Sequence, residues 1–210
     1  MPSLMDKITK AELVSRAESG SDEWHAARLQ GIGGSDIGTI AGLSKWNTPT
    51  DLWAIKTGRS EGPETSPAME WGTRLEPVIR EKFEELHPEF QVDGWPGSWK
   101  NSERPWQLAN PDGLCLDDNG MITLLEIKTA KWPSYWKEGV PLNYQAQVQW
   151  YMSCLGIDQA IVAVLFHGSD YQEFTIPANP LAQEVYIEQA LEFLEYVYTD
   201  TPPDIDQMNG

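Results

Sequence analysis

The chain has 210 residues, with 32 acidic residues against 15 Lys and Arg and a formal net charge of −17. A chain of this length buries roughly 70% of its unfolded surface, so a single domain over residues 1–210 needs neither disulfides nor a structural metal to fold. Its two cysteines form no CxxC pair, which argues against a zinc site, and no run reaches the roughly 18 apolar residues of a membrane span. We therefore expect a cytoplasmic protein with two reduced, buried thiols.

Short helices are predicted for the first part of the chain. One covers 21–29, and another follows the glycine-rich turn GIGGSDIG at 31–38, with Ser35 as its expected N-cap. A third begins at Thr48 or Pro49 and continues to Ile55, before a loop at 61–67. A longer helix of about four turns is indicated by apolar residues at spacings of 4, 4 and 3, namely Leu75, Ile79, Phe83 and Leu86.

The middle and the end of the chain alternate between predicted strands and helices. The sequence DDNG at 117–120 is typical of a hairpin turn between two of the strands. Helices are expected at 144–155 and 181–198, and strands at 106–109, 113–116, 121–128, 161–166 and 171–176. This order predicts an α/β or α+β fold in which a central mixed β-sheet is flanked by helices.

The charges are divided unevenly along the chain. All 15 Lys and Arg lie between Lys7 and Lys137, whereas 138–210 carries 11 acidic residues and no basic one. Because contacts to phosphate need Lys and Arg, we expect any surface for a polyanion in the first 137 residues. The last predicted helix carries an acidic stripe of Glu184, Glu188, Glu192 and Glu195. It is a solvated face, a docking face for a basic partner, or a surface that repels DNA and confines it to the active-site side.

Glu126 and Lys128 share one face of a predicted strand, while Ile127 points to the other face. Two opposite charges on an otherwise apolar strand indicate either a structural ion pair or a metal site. For a metal, Asp112 begins the neighbouring hairpin strand and could stand beside Glu126. Two carboxylates and a backbone carbonyl form an oxygen-only ligand set, which suits Mg²⁺ or Mn²⁺. On this pattern alone both explanations stay open.

Five motifs between residues 22 and 155 occur in a fixed order. They are EWHAARLQGIGGSDIGTIAG at 23–42, MEWGTRLEPVIREKFEE at 69–85, NPDGL at 110–114, LEIKT at 125–129 and YQAQVQWYM at 144–152. In this order they resemble the phage lambda exonuclease and YqaJ-type viral recombinase family, within the PD-(D/E)XK nuclease superfamily. The acidic strands and helix at 156–200 add little to the resemblance but belong to the same expected nuclease domain.

The resemblance implies that Asp112, Glu126 and the carbonyl of Ile127 bind the catalytic metal, and that Lys128 is the family's catalytic lysine. One or two Mg²⁺ ions are implied, with Mn²⁺ as a substitute. The same chemistry follows from the strand pattern, because a divalent ion polarises a phosphoryl oxygen while an adjacent ammonium neutralises developing charge.

Three further residues match active-site positions, one of this family and two of the related RecB-like nucleases. Glu76 resembles a helix glutamate that contributes to the metal site, although Thr73 and Glu76 also fit a capping box, and Pro77 is expected in the first turn or at a kink. Gln147 and Tyr151 match a Q-x-x-x-Y signature in which the amide contacts a phosphate or holds the lysine. The alternative for this pair is a polar flank on an amphipathic helix.

Arg28 and Ser35 match family residues that hold a 5′-terminal phosphate, whereas the glycine turn by itself indicates only a capped helix. Asn110 replaces a small hydroxyl residue that some relatives carry, and its amide can still donate to a phosphate. Trp24 is placed where an aromatic ring can stack on a terminal base, or else belongs to the core or to a subunit contact.

The resemblance therefore implies a Mg²⁺-dependent exonuclease that degrades one strand of linear double-stranded DNA 5′→3′ from a phosphorylated end. It would leave 3′ single-stranded tails for phage recombination by strand annealing. A ring-shaped homotrimer and a single-strand annealing protein as partner are also implied, as is a phage or prophage origin. The alternatives are another PD-(D/E)XK endonuclease of restriction or repair, and a non-enzymatic acidic mimic of DNA.

Overall fold

The computed structural model describes residues 4–17 and 21–203, apart from the side chains of residues 5, 6 and 24. Within these residues the helices are α1 (Asp22–Arg28), α2 (Gly34–Ile40), α3 (Pro49–Lys56), α4 (Pro67–Leu86), α5 (Leu142–Leu155) and α6 (Pro180–Tyr198). The strands are β1 (Ala11–Ser15), β2 (Gln91–Asp93), β3 (Ser98–Asn101), β4 (Leu108–Ala109), β5 (Gly113–Leu116), β6 (Ile122–Ala130), β7 (Gln159–Phe166) and β8 (Asp170–Pro177). Short 3-10 helices cover Leu4–Lys7 and Pro133–Trp136.

Five of the described strands form a mixed sheet in the order β2-β5-β6-β7-β8. β6 and β7 are parallel, because α5 provides the crossover between them, and the other pairs are antiparallel. The turn at 117–120 joins β5 to β6, and Asp117 accepts a hydrogen bond from Met121 N at 2.7 Å. The expected central mixed sheet is therefore confirmed.

A second, smaller sheet was not predicted from the sequence. It has the order β1-β3-β4 and is antiparallel throughout the described residues. The buried Trp150 of α5 donates from Nε1 to the carbonyls of Ile32 and Leu108, both at 3.1 Å. This fork joins α5 to the small sheet and to the glycine turn, so it fixes the helix that faces β6.

β6 separates two hydrophobic clusters. Leu125 and Ile127 pack with Ile79 and Phe83 of α4, whereas Leu124 belongs to the larger cluster that includes α5. Ile127 thus points away from the face of Glu126, as the alternation of a strand predicts. Ile127 therefore packs in a hydrophobic cluster on one face of β6, whereas Glu126 and Lys128 line the polar cleft on the other face.

The structure rules out one predicted helix cap, Ser35, and the capping box that was the alternative explanation of Glu76. The N-cap of α2 is Gly33 rather than Ser35, because the Asp36 carboxylate accepts a hydrogen bond from Gly33 N at 2.9 Å and closes the first turn. α4 begins at Pro67 with Ser66 as its cap, so the capping box at Thr73 does not form. Pro77 lies inside this helix, well beyond its first turn.

The structure also describes the burial of the two cysteines, the exposure of the acidic stripe and the absence of a membrane-spanning helix among the described residues. Cys115 and Cys154 are buried free thiols, and the four glutamates of the acidic stripe on α6 are all exposed. Across 4–17 and 21–203, no helix combines the length and the apolar character needed to cross a bilayer.

Candidate active site

Almost all the predicted site residues line one cleft of about 380 Å³. The cleft lies between the start of β5, the second half of β6, and the helices α2, α4 and α5. It gathers the following predicted side chains: Arg28, Ser35, Glu76, Asn110, Asp112, Glu126, Lys128, Gln147 and Tyr151. Trp24 was predicted to contact DNA, but its side chain lies outside the described part of the chain.

Asp112 is held by the backbone of β6. β5 begins at Gly113, which is paired with Leu125. Beyond that point the amide of Ile127 donates instead to Asp112 Oδ2, at 2.7 Å. The carboxylate thus takes the place of a backbone acceptor at the end of the strand. Ile127 therefore contacts Asp112 through its N–H group; that its carbonyl binds a metal stays a prediction.

Glu126 lies at the bottom of the cleft and is only 1% exposed. Its Oε1 accepts hydrogen bonds from Lys128 Nζ and, at 2.6 Å, from Gln147 Nε2. Its Oε2 is buried without a hydrogen-bond partner among the described residues. A buried carboxylate oxygen without a donor is costly, which indicates that this site is incomplete without a ligand.

The carboxylates of the cleft raise one another's pKa values. Burial, followed by the charge of Asp112, raises the pKa of Glu126 to about 8 and that of Glu76 to about 7. Burial also raises the pKa of Asp112. Burial would lower the pKa of Lys128, but Glu126 and Asp112 outweigh it and hold that pKa above its usual value. Lys128 therefore stays protonated. Its single positive charge does not balance the three carboxylates of the cleft, those of Glu76, Asp112 and Glu126.

This donor set fits a divalent cation, which would neutralise the carboxylates and contact the orphaned Oε2 of Glu126. No group of three or more His, Cys, Asp or Glu within the described residues is already arranged around a metal position. Glu76 Oε1 instead lies 3.8 Å from Arg80 Nη1. Asp112 and Glu126 are therefore the residues that would hold an ion, and Glu76 lies close enough to act on their charge.

A second charged cluster forms the other end of the cleft. Arg28 Nη2 donates to Ser35 Oγ at 2.7 Å and lies 3.2 Å from Asp36 Oδ1. Lys56 Nζ lies 2.8 Å from Asp36 Oδ2, and its side chain is only 6% exposed. Burial would raise the pKa of Asp36, but Lys56 and Arg28 together lower it. Two cations share one carboxylate, so the cluster keeps one positive charge.

Gly34 allows α2 and α5 to approach closely at the middle of the cleft. A Cβ at this position would lie 2.5 Å from Tyr151 Cε1 and 2.9 Å from Gln147 Cγ. Gln147 Nε2 is also 3.3 Å from Tyr151 Oη, so the pair predicted from the Q-x-x-x-Y signature is in contact. Packing on both sides therefore fixes the amide that reaches Glu126.

Asn110 is oriented by the small sheet. Ser98 Oγ of β3 donates to Asn110 Oδ1, which leaves the Nδ2 group as the donor that Asn110 can offer to a ligand in the cleft.

Four residues of the site were missed from the sequence: Asp36, Lys56, Ser98 and Tyr144. Asp36 lies within the mostly apolar segment GGSDIGTIAG. An acidic side chain buried in such a segment needs a partner of opposite charge, so its position was a usable signal. Tyr144 lines the cleft, and Lys128 Nζ lies 5.1 Å from the centre of its ring. Lys56 and Ser98 carried no comparable signal, because their partners are distant in sequence.

Comparisons with known proteins identify the family and the fold of this chain. The profile of the YqaJ-like viral recombinase domain matches residues 23–158. The uncharacterized protein YqaJ of Bacillus subtilis (strain 168) is 32% identical over 188 residues, which cover 88% of this chain and 59% of that protein. This chain thus spans little more than half of the length of that relative.

Solved structures show the same fold. An alkaline exonuclease from Laribacter hongkongensis superposes with a TM-score of 0.70 at 22% identity, covering 86% of this chain and 94% of that one. A phage-related exonuclease from Haemophilus somnus 129PT gives a TM-score of 0.60 at 12% identity, covering 80% and 93% of the two chains. The predicted nuclease-type α/β fold is confirmed. Because the domain profile also matches most of the chain, the protein belongs to the YqaJ-like viral recombinase domain family.

Proposed function

We propose that this chain is a DNA exonuclease whose active site is the cleft around Asp112, Glu126 and Lys128. The observation that carries the proposal is the buried Glu126, which has a lysine and an amide on one oxygen and, among the described residues, no donor on the other. Such a group is costly for stability and calls for a cation. The similar folds of two proteins described as exonucleases support this activity.

The cation we propose is Mg²⁺, with Mn²⁺ as a substitute, held by Asp112, Glu126 and the carbonyl of Ile127, with Glu76 beside a second ion. When bound, such an ion polarises a phosphoryl oxygen and lowers the pKa of water. Lys128 supplies a fixed positive charge for the charge that develops on the phosphate, since its raised pKa keeps it protonated. Gln147 keeps the Glu126 carboxylate in one orientation.

We further propose that the Arg28–Ser35 end of the cleft holds the 5′-phosphate of a DNA end. The residual positive charge of the Arg28, Lys56 and Asp36 cluster suits a phosphate, and Arg28 and Ser35 both offer donors. Asn110 lines the same cleft and is proposed to donate from Nδ2 to a phosphate, and Trp24 is proposed to stack on the terminal base. An anchored 5′-end beside the catalytic carboxylates gives cleavage in the 5′→3′ direction and leaves a 3′ single-stranded tail.

A ring-shaped homotrimer would enclose the DNA, which gives processivity without strong phosphate affinity and suits a chain of charge −17. The exposed acidic stripe on α6 is our proposed docking face for a single-strand annealing protein. Reversing the charge of Glu188, Glu192 and Glu195 should abolish that binding. Unchanged binding would exclude this face.

The test compares linear duplex DNA carrying 5′-phosphate ends, the same DNA with 5′-hydroxyl ends, and a covalently closed circle. We expect rapid release of mononucleotides from the first in Mg²⁺, slower release from the second, and none in EDTA. The circle should stay intact. Cutting of the circle would identify an endonuclease instead, and no cleavage in any divalent ion would exclude a nuclease.

A further inference from the structure

A surface of exposed aromatic rings and lysines lies beside the cleft and plays no part in the site described above. Lys45 Nζ lies 5.0 Å from the centre of the Tyr135 ring, and Lys131 Nζ lies 5.0 Å from the centre of the Trp132 ring. The two rings are 67% and 53% exposed, so each lysine leaves most of its ring open to solvent. We call Lys45, Lys131, Trp132 and Tyr135 the lysine–aromatic surface.

This surface continues directly from the wall of the active site. Tyr144, whose ring lies 5.1 Å from Lys128 Nζ, stacks on the buried Trp136 with 5.7 Å between ring centres. Trp136 is the neighbour of Tyr135 in the short 3-10 helix after β6. Tyr135 is therefore linked to the wall of the cleft through its neighbour Trp136 and through Tyr144.

The chemistry of the lysine–aromatic surface selects a ligand that has both flat apolar faces and negative charges. Clustered exposed aromatic rings rimmed by charged residues are typical of a binding surface. Trp46, which follows Lys45, is 75% exposed as well. Lysines beside aromatic rings are the combination that binds phosphates and unpaired bases together. The bases of a duplex are stacked inside the helix and cannot reach such rings.

We propose that the lysine–aromatic surface binds single-stranded DNA, by base stacking on Trp132 and Tyr135 and by phosphate contacts to Lys45 and Lys131. The inference rests on the proposed function in one respect, because it takes the strand to be the single-stranded product of that nuclease. The charge distribution supports this, since all four residues belong to the part of the chain, 7–137, that carries every Lys and Arg.

The test measures binding of the full chain to a fluorescent oligo-dT of about 12 nucleotides in EDTA. The oligonucleotide carries a 5′-hydroxyl, so that neither cleavage nor the phosphate pocket contributes. Tyr135→Leu and Trp132→Leu should each weaken binding roughly 5- to 100-fold, because each removes one stacking platform. Tyr135→Phe should stay within about twofold of the wild type, because it keeps the ring. Lys45→Gln should lower the salt dependence of binding by about 0.7 in the log–log slope.

Tyr198→Leu is the matched control, because Tyr198 is 75% exposed on the acidic α6; it should bind oligo-dT like the wild type. Wild-type affinity in both Tyr135→Leu and Trp132→Leu would overturn the proposal. So would an equal loss on a blunt duplex with 5′-hydroxyl ends. A lower sedimentation mass of the variants at unchanged affinity would instead make this face an interface between copies.

The proposed nuclease function is tested separately. If the wild type binds oligo-dT through these rings but cuts no DNA in Mg²⁺, the surface stands and the nuclease function fails. If the wild type cuts DNA but Tyr135→Leu and Trp132→Leu bind oligo-dT normally, the surface alone fails.

Discussion

Gln147 on α5 donates a 2.6 Å hydrogen bond to Oε1 of Glu126 on β6, across 21 positions of sequence. The same oxygen accepts from Lys128, so one oxygen of the carboxylate is bound by the protein, while Oε2 has no donor in the part of the chain that the structure describes. The amide and the lysine therefore aim the carboxylate. Gln147 is fixed in turn by its contact with Tyr151 and by the close approach of Gly34.

Gln147→Ala should lower the rate of duplex degradation roughly 10- to 100-fold, because a hydrogen bond to a charged group contributes about 1.5–3 kcal/mol. Gln147→Glu should lower it further, because it places a second negative charge against Glu126. The initial rate on linear 5′-phosphorylated DNA measures both effects. Gln145→Ala is the control, since Gln145 bonds to the carbonyl of Val140 outside the cleft. A rate for Gln147→Ala equal to that of the control would contradict the role of this amide.

Glu126→Gln should abolish cleavage and also remove the stabilisation of the protein by Mg²⁺. An ion bound at 100 times its dissociation constant stabilises the folded state by about 2.7 kcal/mol, which raises the Tm of a chain of this size by roughly 5–10 °C. Thermal unfolding of wild type and variant, each in Mg²⁺ and in EDTA, measures the effect. Glu70→Gln is a control on an exposed, ion-paired glutamate of α4. A Mg²⁺-induced rise in Tm that survives Glu126→Gln would place the ion elsewhere.

Arg28→Ala should slow degradation of 5′-phosphorylated ends selectively. A charge-assisted contact to phosphate contributes about 1.5–3 kcal/mol, so the preference for phosphate over hydroxyl ends should fall roughly 10- to 100-fold. Arg74→Ala should leave that preference unchanged, because Arg74 is exposed and paired with Glu70. The ratio of rates on the two kinds of end is the measurement. An equal loss on both ends in Arg28→Ala would refute the phosphate pocket.

The elements that the sequence predicts well are those with a strong local pattern. β5 and β6 were placed by their apolar runs and by the turn at 117–120, and α6 by its length. β1, β2 and β3 were missed because they are short, and only pairing with distant residues stabilises them. α4 begins two full turns before its apolar stripe, because Ser66 caps it and Pro67 occupies its first position. The apolar pattern could not reveal these two turns, because their residues are mostly exposed.

Most of the site residues could be predicted from the sequence, whereas the hydrogen bonds that position them could not. Residue types and motif order were enough to bring Asp112, Glu126, Lys128 and Gln147 to one cleft. The partners that hold them were not predictable, because a hydrogen bond such as that of Ile127 N to Asp112 depends on where β5 ends. Ser35 was predicted as a cap, yet it is a partner of Arg28, because Asp36 already satisfies the amide of Gly33.

Gly34 and Gly33 offer a matched pair of substitutions. Gly34→Ala should destabilise the protein by about 1–3 kcal/mol, because its new Cβ would overlap Tyr151 and Gln147. It should also slow cleavage by displacing the amide from Glu126. Gly33→Ala should be tolerated, because its Cβ would meet only Asp36 Oδ2 at 3.6 Å and its φ of −93° suits any residue. Chemical denaturation compares the two; equal stability would argue against the close packing of α2 on α5.

His87 connects the end of α4 to the edge of the main sheet. Its Nδ1 lies 2.9 Å from Glu89 Oε1, and its Nε2 lies 2.7 Å from Glu173 Oε2 on β8. Burial by itself would lower the pKa of His87, but hydrogen bonds and charge from Glu89 and Glu173 outweigh it, and the pKa is raised. Only the protonated imidazole donates to both carboxylates at once.

The raised pKa of His87 makes its contribution to stability depend on pH. The folded state binds the proton more tightly than the unfolded state, so the contribution is full below the ordinary pKa of about 6.5, while the carboxylates are ionised. It is lost as pH rises through the folded-state pKa. His87→Gln should therefore lower Tm by roughly 2–4 °C on the acidic side, for about 1 kcal/mol, and by little at alkaline pH. If the Tm loss in His87→Gln grew with pH instead, the charged bridge to β8 would be refuted.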